Sequence, residues 1–372
     1  MKVCINLCPA LFQPTGVGVY ARELFKYLSL LEDTGLSILG LSSSLKYALH
    51  IQHGEKGRII NMKIPSKLFN ILMHRLHFPP VELLVGQKID IVHSPYMLSL
   101  PAVKAKKIIT VHDMYFMNEG GENISGNYQR DRKLFVRSIR NADAIICVSH
   151  FTRKRLIEAF PETADKAKVV HSGLQDPVVN NKNGTGQLLL KEQMRLPDIY
   201  ILFIGTIERR KNIIPLLEAV QELNKGKYKV PLILVGKAGF GSNEVMKRIK
   251  ELTCVKYFDY VTEEQKRLLY QYAKVLVMPS IEEGFGFPLL EAMSYGVPVI
   301  ASRGSALEEI GENAVYYLKE TTPQEIQDAI VTILKQDNLV REMVQKGYAR
   351  IKDFNWENTA HATYEVYKEI MG

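Results

Sequence analysis

The feature that most restricts the fold of this chain is a rhythm in its second half. Short apolar runs at 200–205, 231–236, 255–257, 275–278, 298–301 and 314–318 alternate with segments of helical periodicity. Runs that are apolar at consecutive positions are covered on both faces, which is the environment of a parallel sheet between helices. Some helices carry explicit start signals. Thr262 and Gln265 have the spacing of a capping box, and Thr322 stands before Pro323, a residue suited to the first helical turn. The first half repeats the alternation less clearly, with strands expected at 3–6, 36–41, 89–93, 107–111 and 144–148. Helices are expected over 17–31 and 128–141 and after Ser149, whereas 45–86 reads as polar and then helical. The prediction is an α/β protein of two Rossmann-like, doubly wound parallel-sheet domains. At 372 residues the chain is long enough for two cores. The polar, turn-rich stretch around 175–187 divides it into a domain at 1–176, a linker at 177–187, a domain at 188–353 and a final helix at 354–372.

Composition narrows the function classes. No apolar run reaches the roughly 18–20 residues of a membrane helix, and the N-terminal run is too short for a secretory signal. Cys4, Cys8, Cys147 and Cys254 lack metal-ligand spacing and mostly lie in or beside apolar runs, so a reduced, cytoplasmic protein without a metal site is expected. The formal charge is +8, and residues 1–176 hold 23 Lys and Arg against 15 Asp and Glu, 23 − 15 = +8, leaving 25 − 25 = 0 for the rest. Two readings of the basic half stay open: a solvated surface, or attraction to an anionic membrane face or a phosphorylated acceptor. No nucleic-acid partner is expected.

The most informative stretch is 280–298. Glu283 and Glu291 stand eight positions apart with Gly-Phe-Gly-Phe-Pro between them. Gly284 and Gly286 suit a tight loop and Pro288 a helix start, which places Glu283 in the loop and Glu291 in the first turn of the helix. The free N–H groups of that helix start form a seat for an anion such as a diphosphate. Acceptor carboxylates on either side of a phosphate seat fit a nucleotide sugar. The run at 200–205 leads into Thr206-Ile-Glu-Arg-Arg-Lys-Asn212, which puts Arg209, Arg210 and Lys211 at a strand's carboxyl end, where cations can stabilise a departing diphosphate. In the first half, Gly16 and Gly18 follow the first strand and permit close approach of backbone to a ligand. The absence of a third glycine at Ala21 disfavours a dinucleotide site. His112 ends another strand. The loop at 114–127, beginning Met-Tyr-Phe-Met, reads as an apolar exposed tip.

These motifs resemble the signature of the retaining GT-B glycosyltransferases of family 4, and among them the bacterial mannosyltransferase-like members. The resemblance is carried by Glu283-Gly-Phe-Gly-Phe-Pro-Leu-Leu-Glu291, Gly205-Thr-Ile-Glu-Arg-Arg-Lys-Asn212, Leu234-Val-Gly-Lys237, Tyr257-Phe-Asp-Tyr-Val261, Gly296-Val-Pro-Val-Ile-Ala-Ser302 and Val148-Ser-His-Phe-Thr-Arg153. It implies a GT-B fold with a cleft between an acceptor domain and a donor domain, and a terminal helix that returns to the first. It also implies a nucleotide-sugar donor, with GDP-mannose the best match, a glycan or lipid-linked acceptor, and no cofactor. Glu283 would hold the donor sugar, Glu291 the ribose, and Arg210 and Lys211 the diphosphate. Backbone amides of Phe285, Gly286 and Phe287 would face the sugar, and those of Leu289 and Leu290 the phosphates. Lys237, Tyr260 and Val261 would border the base; Gly16 and Gly18 would close on the donor, and His112 would lie near the transferred sugar. The departures are Thr206, where some relatives have arginine and Arg209 would substitute, and Thr-Gly-Val-Gly in the glycine loop. No Asp-x-Asp occurs, which agrees with a metal-independent enzyme. The alternatives are a UDP-hexose-dependent transferase, a GT-B epimerase or hydrolase of nucleotide sugars, and a non-catalytic partner that binds them.

Overall fold

The computed structural model describes residues 1–11, 16–32, 34–45, 51, 53–117, 128–175 and 185–372. The chain divides into two compact units, Met1–Gly173 with Phe354–Gly372, and Leu174–Asp353. The first is built on β1 (Lys2–Asn6), β2 (Ser37–Ser42), β3 (Gly57–Asn61), β4 (Ile91–Ser94), β5 (Lys106–Val111), β6 (Ala144–Cys147) and β7 (Ala167–Val169), in the order β3-β2-β1-β4-β5-β6-β7. The second is built on β8 (Ile201–Ile204), β9 (Leu232–Val235), β10 (Val255–Phe258), β11 (Val275–Met278), β12 (Val299–Ala301) and β13 (Val315–Tyr317), in the order β10-β9-β8-β11-β12-β13. Every pairing is parallel. Each sheet reverses its winding once, between β1 and β4 and between β8 and β11, and such a reversal opens a crevice at the strands' carboxyl ends.

The strands form where apolar side chains run consecutively. Leu232–Val235 and Val275–Met278 are buried at every position, and Phe203, Leu234 and Val277 join Leu217, Val220 and Ile330 in the second unit's core. The capping signals act as written. Thr262 Oγ1 accepts from the Gln265 amide at 3.2 Å while Gln265 Oε1 accepts from the Thr262 amide at 2.9 Å. Thr322 caps the helix Pro323–Lys335, and Ser149 caps His150–Ala159.

Two parts of the first unit differ from the expectation. β3 was unforeseen because Gly57-Arg-Ile-Ile-Asn61 is a partly exposed edge strand, polar at both ends and paired only to β2. The apolar tip expected at 114–127 is not exposed where it is described. Met114 and Phe116 are buried, and the Phe116 ring meets Phe135 edge-on at 5.1 Å. Residues 118–127 of that loop and 177–184 of the expected linker lie outside the described residues; 185–187 begin the helix Thr185–Gln193.

The final helix, Trp356–Met371, is anchored in the first unit by specific polar bonds. Thr359 Oγ1 donates to the His171 carbonyl at 2.8 Å, and Tyr364 Oη to the Thr34 carbonyl at 2.9 Å. Tyr367 Oη lies 2.7 Å from His93 Nδ1, and His93 Nε2 lies 2.9 Å from Thr110 Oγ1. Burial pushes the His93 imidazole down to about 3, so it stays neutral and both ring nitrogens are satisfied by hydroxyls. Gly173 admits the helix start, because a Cβ there would lie 2.5 Å from the Trp356 amide nitrogen.

Candidate active site

Two loops meet at the reversal point of the second sheet. One leaves β8 and makes a tight turn at Arg209–Lys211; the other leaves β11 and enters the helix Phe287–Ser294 through Gly286. They are tied by the Ile281 amide, which donates to the Arg210 carbonyl at 2.7 Å. Gly286 has φ +102°, and a Cβ on it would lie 2.6 Å from Leu307 Cδ2, so the loop turns here only with glycine. The second loop is also held from beneath, where the Ala306 amide donates to the Glu283 carbonyl at 3.1 Å.

This junction gathers a buried charge cluster. Lys211 Nζ donates to Glu283 Oε1 at 2.5 Å, and Arg210 Nη1 to Glu283 Oε2 at 3.0 Å. Ser280 Oγ donates to Glu283 Oε1 at 2.7 Å, while Arg210 Nε is 2.6 Å from Glu208 Oε1. Glu283 is 6% exposed and Lys211 9%. Burial by itself would raise the Glu283 carboxyl, but the charges of Lys211 and Arg210 outweigh it and hold the group down at about 2. Its stabilising contribution is therefore complete above its ordinary value of 4.5 and is lost as the pH falls from there toward 2. Linkage puts that contribution at about 3 kcal/mol. Denaturant titrations of the wild type and of Glu283→Gln between pH 6 and pH 3 should therefore converge as the pH falls. A constant difference across that range would contradict the assignment.

Glu291 sits in the second turn of its helix rather than the first, because the helix already begins at Phe287. Lys266 Nζ donates to its Oε1 at 2.9 Å and Tyr270 Oη to its Oε2 at 2.7 Å. Lys266 and Tyr270 are four residues apart on the helix Glu263–Tyr272, so one helix face presents both donors. Phe285 is buried and its ring lies 5.1 Å from that of Phe287. The Leu289 amide donates to the Gly286 carbonyl at 3.0 Å, and the Leu289 and Leu290 side chains are buried. Arg209 is exposed on the turn. Lys237 is exposed after β9, with its carbonyl accepting from the Ile207 amide at 2.8 Å. Tyr260, 47% exposed, and Val261 follow β10 at the same sheet edge.

The remaining candidates belong to the first unit. Gly16 and Gly18 lie in the first turn of the helix Gly16–Leu30, and residues 12–15 of that loop are outside the described ones. Two residues after Gly18, Tyr20 packs edge-on against His112, ring centroids 4.8 Å apart. His112 Nε2 lies 3.0 Å from the Pro95 carbonyl and must donate to it, which leaves Nδ1 as an acceptor in the neutral ring. Burial lowers the pKa of His112 and favours that neutral form.

Ser280, Glu208, Lys266 and Tyr270 were not singled out from the sequence. Lys266 and Tyr270 had one available signal, a cation and an aromatic hydroxyl at i, i+4 on a capped helix. Nothing in the sequence links that face to Glu291, which is 21 residues further on than Tyr270.

With this geometry in place, comparison with known proteins defines the class. The Glycosyltransferase Family 4 profile matches residues 14–176, and the Glycosyl transferases group 1 profile matches 187–350. The chain belongs to the GT-B glycosyltransferases of family 4 and resembles their bacterial mannosyltransferases. It is 28% identical over 381 residues to O-antigen chain mannosyltransferase B of Escherichia coli, covering 99% of this chain and 100% of that one. It is also 28% identical over 295 residues to the serotype-specific mannosyltransferase WbdA of the same species, covering 74% of this chain and 35% of WbdA. Sucrose-phosphate synthase from Thermosynechococcus elongatus shares its fold, with a TM-score of 0.79 at 20% identity over 100% of this chain and 99% of that one.

Proposed function

We propose that this glycosyltransferase moves a hexose, mannose from GDP-mannose, onto a glycan or lipid-linked acceptor in the synthesis of a cell-surface polysaccharide, with retention of anomeric configuration. The observation that carries the reading is the buried Glu283–Lys211–Arg210 cluster at the reversal point of the second sheet. Glu283 is kept ionised and fixed, able to accept hydroxyls of the donor sugar. Lys211 carries three N–H groups and spends one on Glu283, so it can also face a diphosphate. Arg210 and Lys211 then provide the positive charge that stabilises the leaving nucleotide, in place of a metal ion. Glu291 is the acceptor for ribose hydroxyls, and Lys237, Tyr260 and Val261 border the base.

Phe285, Gly286 and Phe287 offer amides to the sugar, Leu290 one to the phosphates, and Arg209 a further cation. The Leu289 amide is already bonded to the Gly286 carbonyl, which leaves Leu290 as the amide of this pair open to the phosphates. In the first unit Gly16 and Gly18 serve the donor and His112 the transferred sugar. The acceptor hydroxyl attacks the anomeric carbon on the face from which the nucleotide leaves. The carbon–oxygen bond to the diphosphate breaks, the new glycosidic bond forms, and the acceptor's proton passes to a diphosphate oxygen. The chain's part is positioning and charge stabilisation. The excess of basic residues over 1–176 supports a working position at the inner, anionic face of a membrane.

Thermal-shift titration with GDP, UDP and ADP, followed by an assay of slow donor hydrolysis, tests the reading. GDP should give the largest rise in melting temperature. A larger shift with UDP would move the donor to a UDP-hexose, and no shift with any nucleotide would overturn donor binding altogether.

A further inference from the structure

The segment 66–83 of the first unit has an outer face unlike that of an ordinary surface helix. Ser66–Asn70 is α-helical and Ile71–Leu76 continues it as a π-helical turn. Phe69 and Met73 enter the core beside Val81. The opposite side, where a water-facing helix carries polar groups, instead exposes Leu68, Ile71 and Leu76 together with Lys67 and Arg75. Phe78, 61% exposed, and Leu83, 65% exposed, continue the apolar surface. Val103, 74% exposed, is tied to the short helix that carries Leu83, its amide donating to the Glu82 carboxylate at 3.0 Å. Six of the sixteen large apolar side chains exposed among the described residues fall between Leu68 and Val103.

The charge around them has one sign. Residues 63–107 contain Lys63, Lys67, Arg75, Lys88, Lys104, Lys106 and Lys107 against Glu82, Asp90 and no other acid. Both acids are engaged by backbone amides, Glu82 by Val103, Lys104 and Ala105, and Asp90 by Lys2. The charges of Arg137, from the basic helix Tyr128–Asn141, and of Lys107 also reach His77. Leucine and phenylalanine tips set among cations match the boundary between acyl chains and anionic headgroups. No helix among the described residues is long and apolar enough to cross a membrane.

We propose that this face is the membrane-docking surface. Leu76, Phe78, Leu83 and Val103 enter the interfacial layer, and Lys67, Arg75 and Lys104 bind anionic headgroups. The proposal rests on the membrane-face reading given above and names the surface responsible. It is tested by co-sedimenting the full chain with vesicles containing phosphatidylglycerol and with vesicles of phosphatidylcholine alone. Two variants accompany the wild type, Leu76→Ser with Phe78→Ser, and Lys67→Glu with Arg75→Glu. All these side chains are exposed or partly so, and an unchanged melting temperature and nucleotide shift confirm the fold of each variant.

The wild type should bind the anionic vesicles only, and each variant should bind at least about tenfold more weakly. Wild-type binding that survives in both variants leaves the membrane reading standing and overturns this surface. Absence of wild-type binding overturns both. A wild type that is dimeric in solution and made monomeric by Leu76→Ser with Phe78→Ser, with vesicle binding unchanged, would assign the face to a second copy of the chain and overturn the proposal.

Discussion

Replacing Glu283 by glutamine is expected to lower transfer by about 100- to 1000-fold in kcat/KM, the range observed when one preorganised electrostatic group is removed. The replacement keeps the shape of the side chain but not its charge, so Lys211 and Arg210 lose the partner that fixes both of them. Lys211→Ala should have an effect of the same order for the converse reason, since it removes the cation closest to the carboxylate. Either change leaves a buried group with incomplete compensation, and truncating one partner of a buried ion pair costs about 3–5 kcal/mol. Activity must therefore be compared at a temperature where circular dichroism shows both variants folded. Wild-type transfer rates in a folded Glu283→Gln protein would remove the cluster from the mechanism.

Gly236→Ala is expected to have the second-largest effect, although Gly236 bears no functional group. It ends β9 with φ +147°, and a Cβ on it would lie 1.8 Å from the Gly205 carbonyl oxygen and 3.3 Å from the Thr206 amide nitrogen. The obstructing atoms are backbone, so relief requires moving the β8 loop that carries Arg210 and Lys211. Such overpacking with an unfavourable φ costs on the order of 3 kcal/mol or more. For a unit of this size that corresponds to a fall of roughly 6–12 °C in melting temperature. The stabilisation by nucleotide should weaken as well, because the displaced loop holds Arg210 and Lys211, the cations proposed to face the phosphates. Gly226→Ala is the control, since its Cβ would meet nothing closer than 3.6 Å. Equal melting temperatures for the two variants would contradict the argument.

Much of the site is legible in the sequence because its parts are local. Gly286 was expected to turn the loop before the helix, and it does so with φ +102°. The alternation of apolar runs with capped helices led to two parallel-sheet units, and every strand of the second unit falls where an apolar run stands. The first unit was harder to read. β3 is a polar edge strand, and the Met114–Phe116 run, apolar and preceding a glycine pair, looks like an exposed tip until Phe135 is found packed against it. Local pattern reports that a side chain is apolar without reporting what covers it.

The sequence by itself determined the class of fold, the loops that bear Arg210, Lys211 and Glu283, and the glycine that allows one of them to turn. These follow from periodicity, backbone sterics and helix-start chemistry, all of which act within a few residues. Only the tertiary structure decided that Glu283 is neutralised by Lys211 and Arg210, 72 and 73 residues away, and that Glu291 is held by Lys266 and Tyr270. It alone also set apart the outward-facing leucines of 66–83 from the core residues beside them. The physical reason is that burial and charge pairing depend on which strands lie side by side. In the second unit that is decided where β8 and β11, 70 residues apart in the chain, become neighbours.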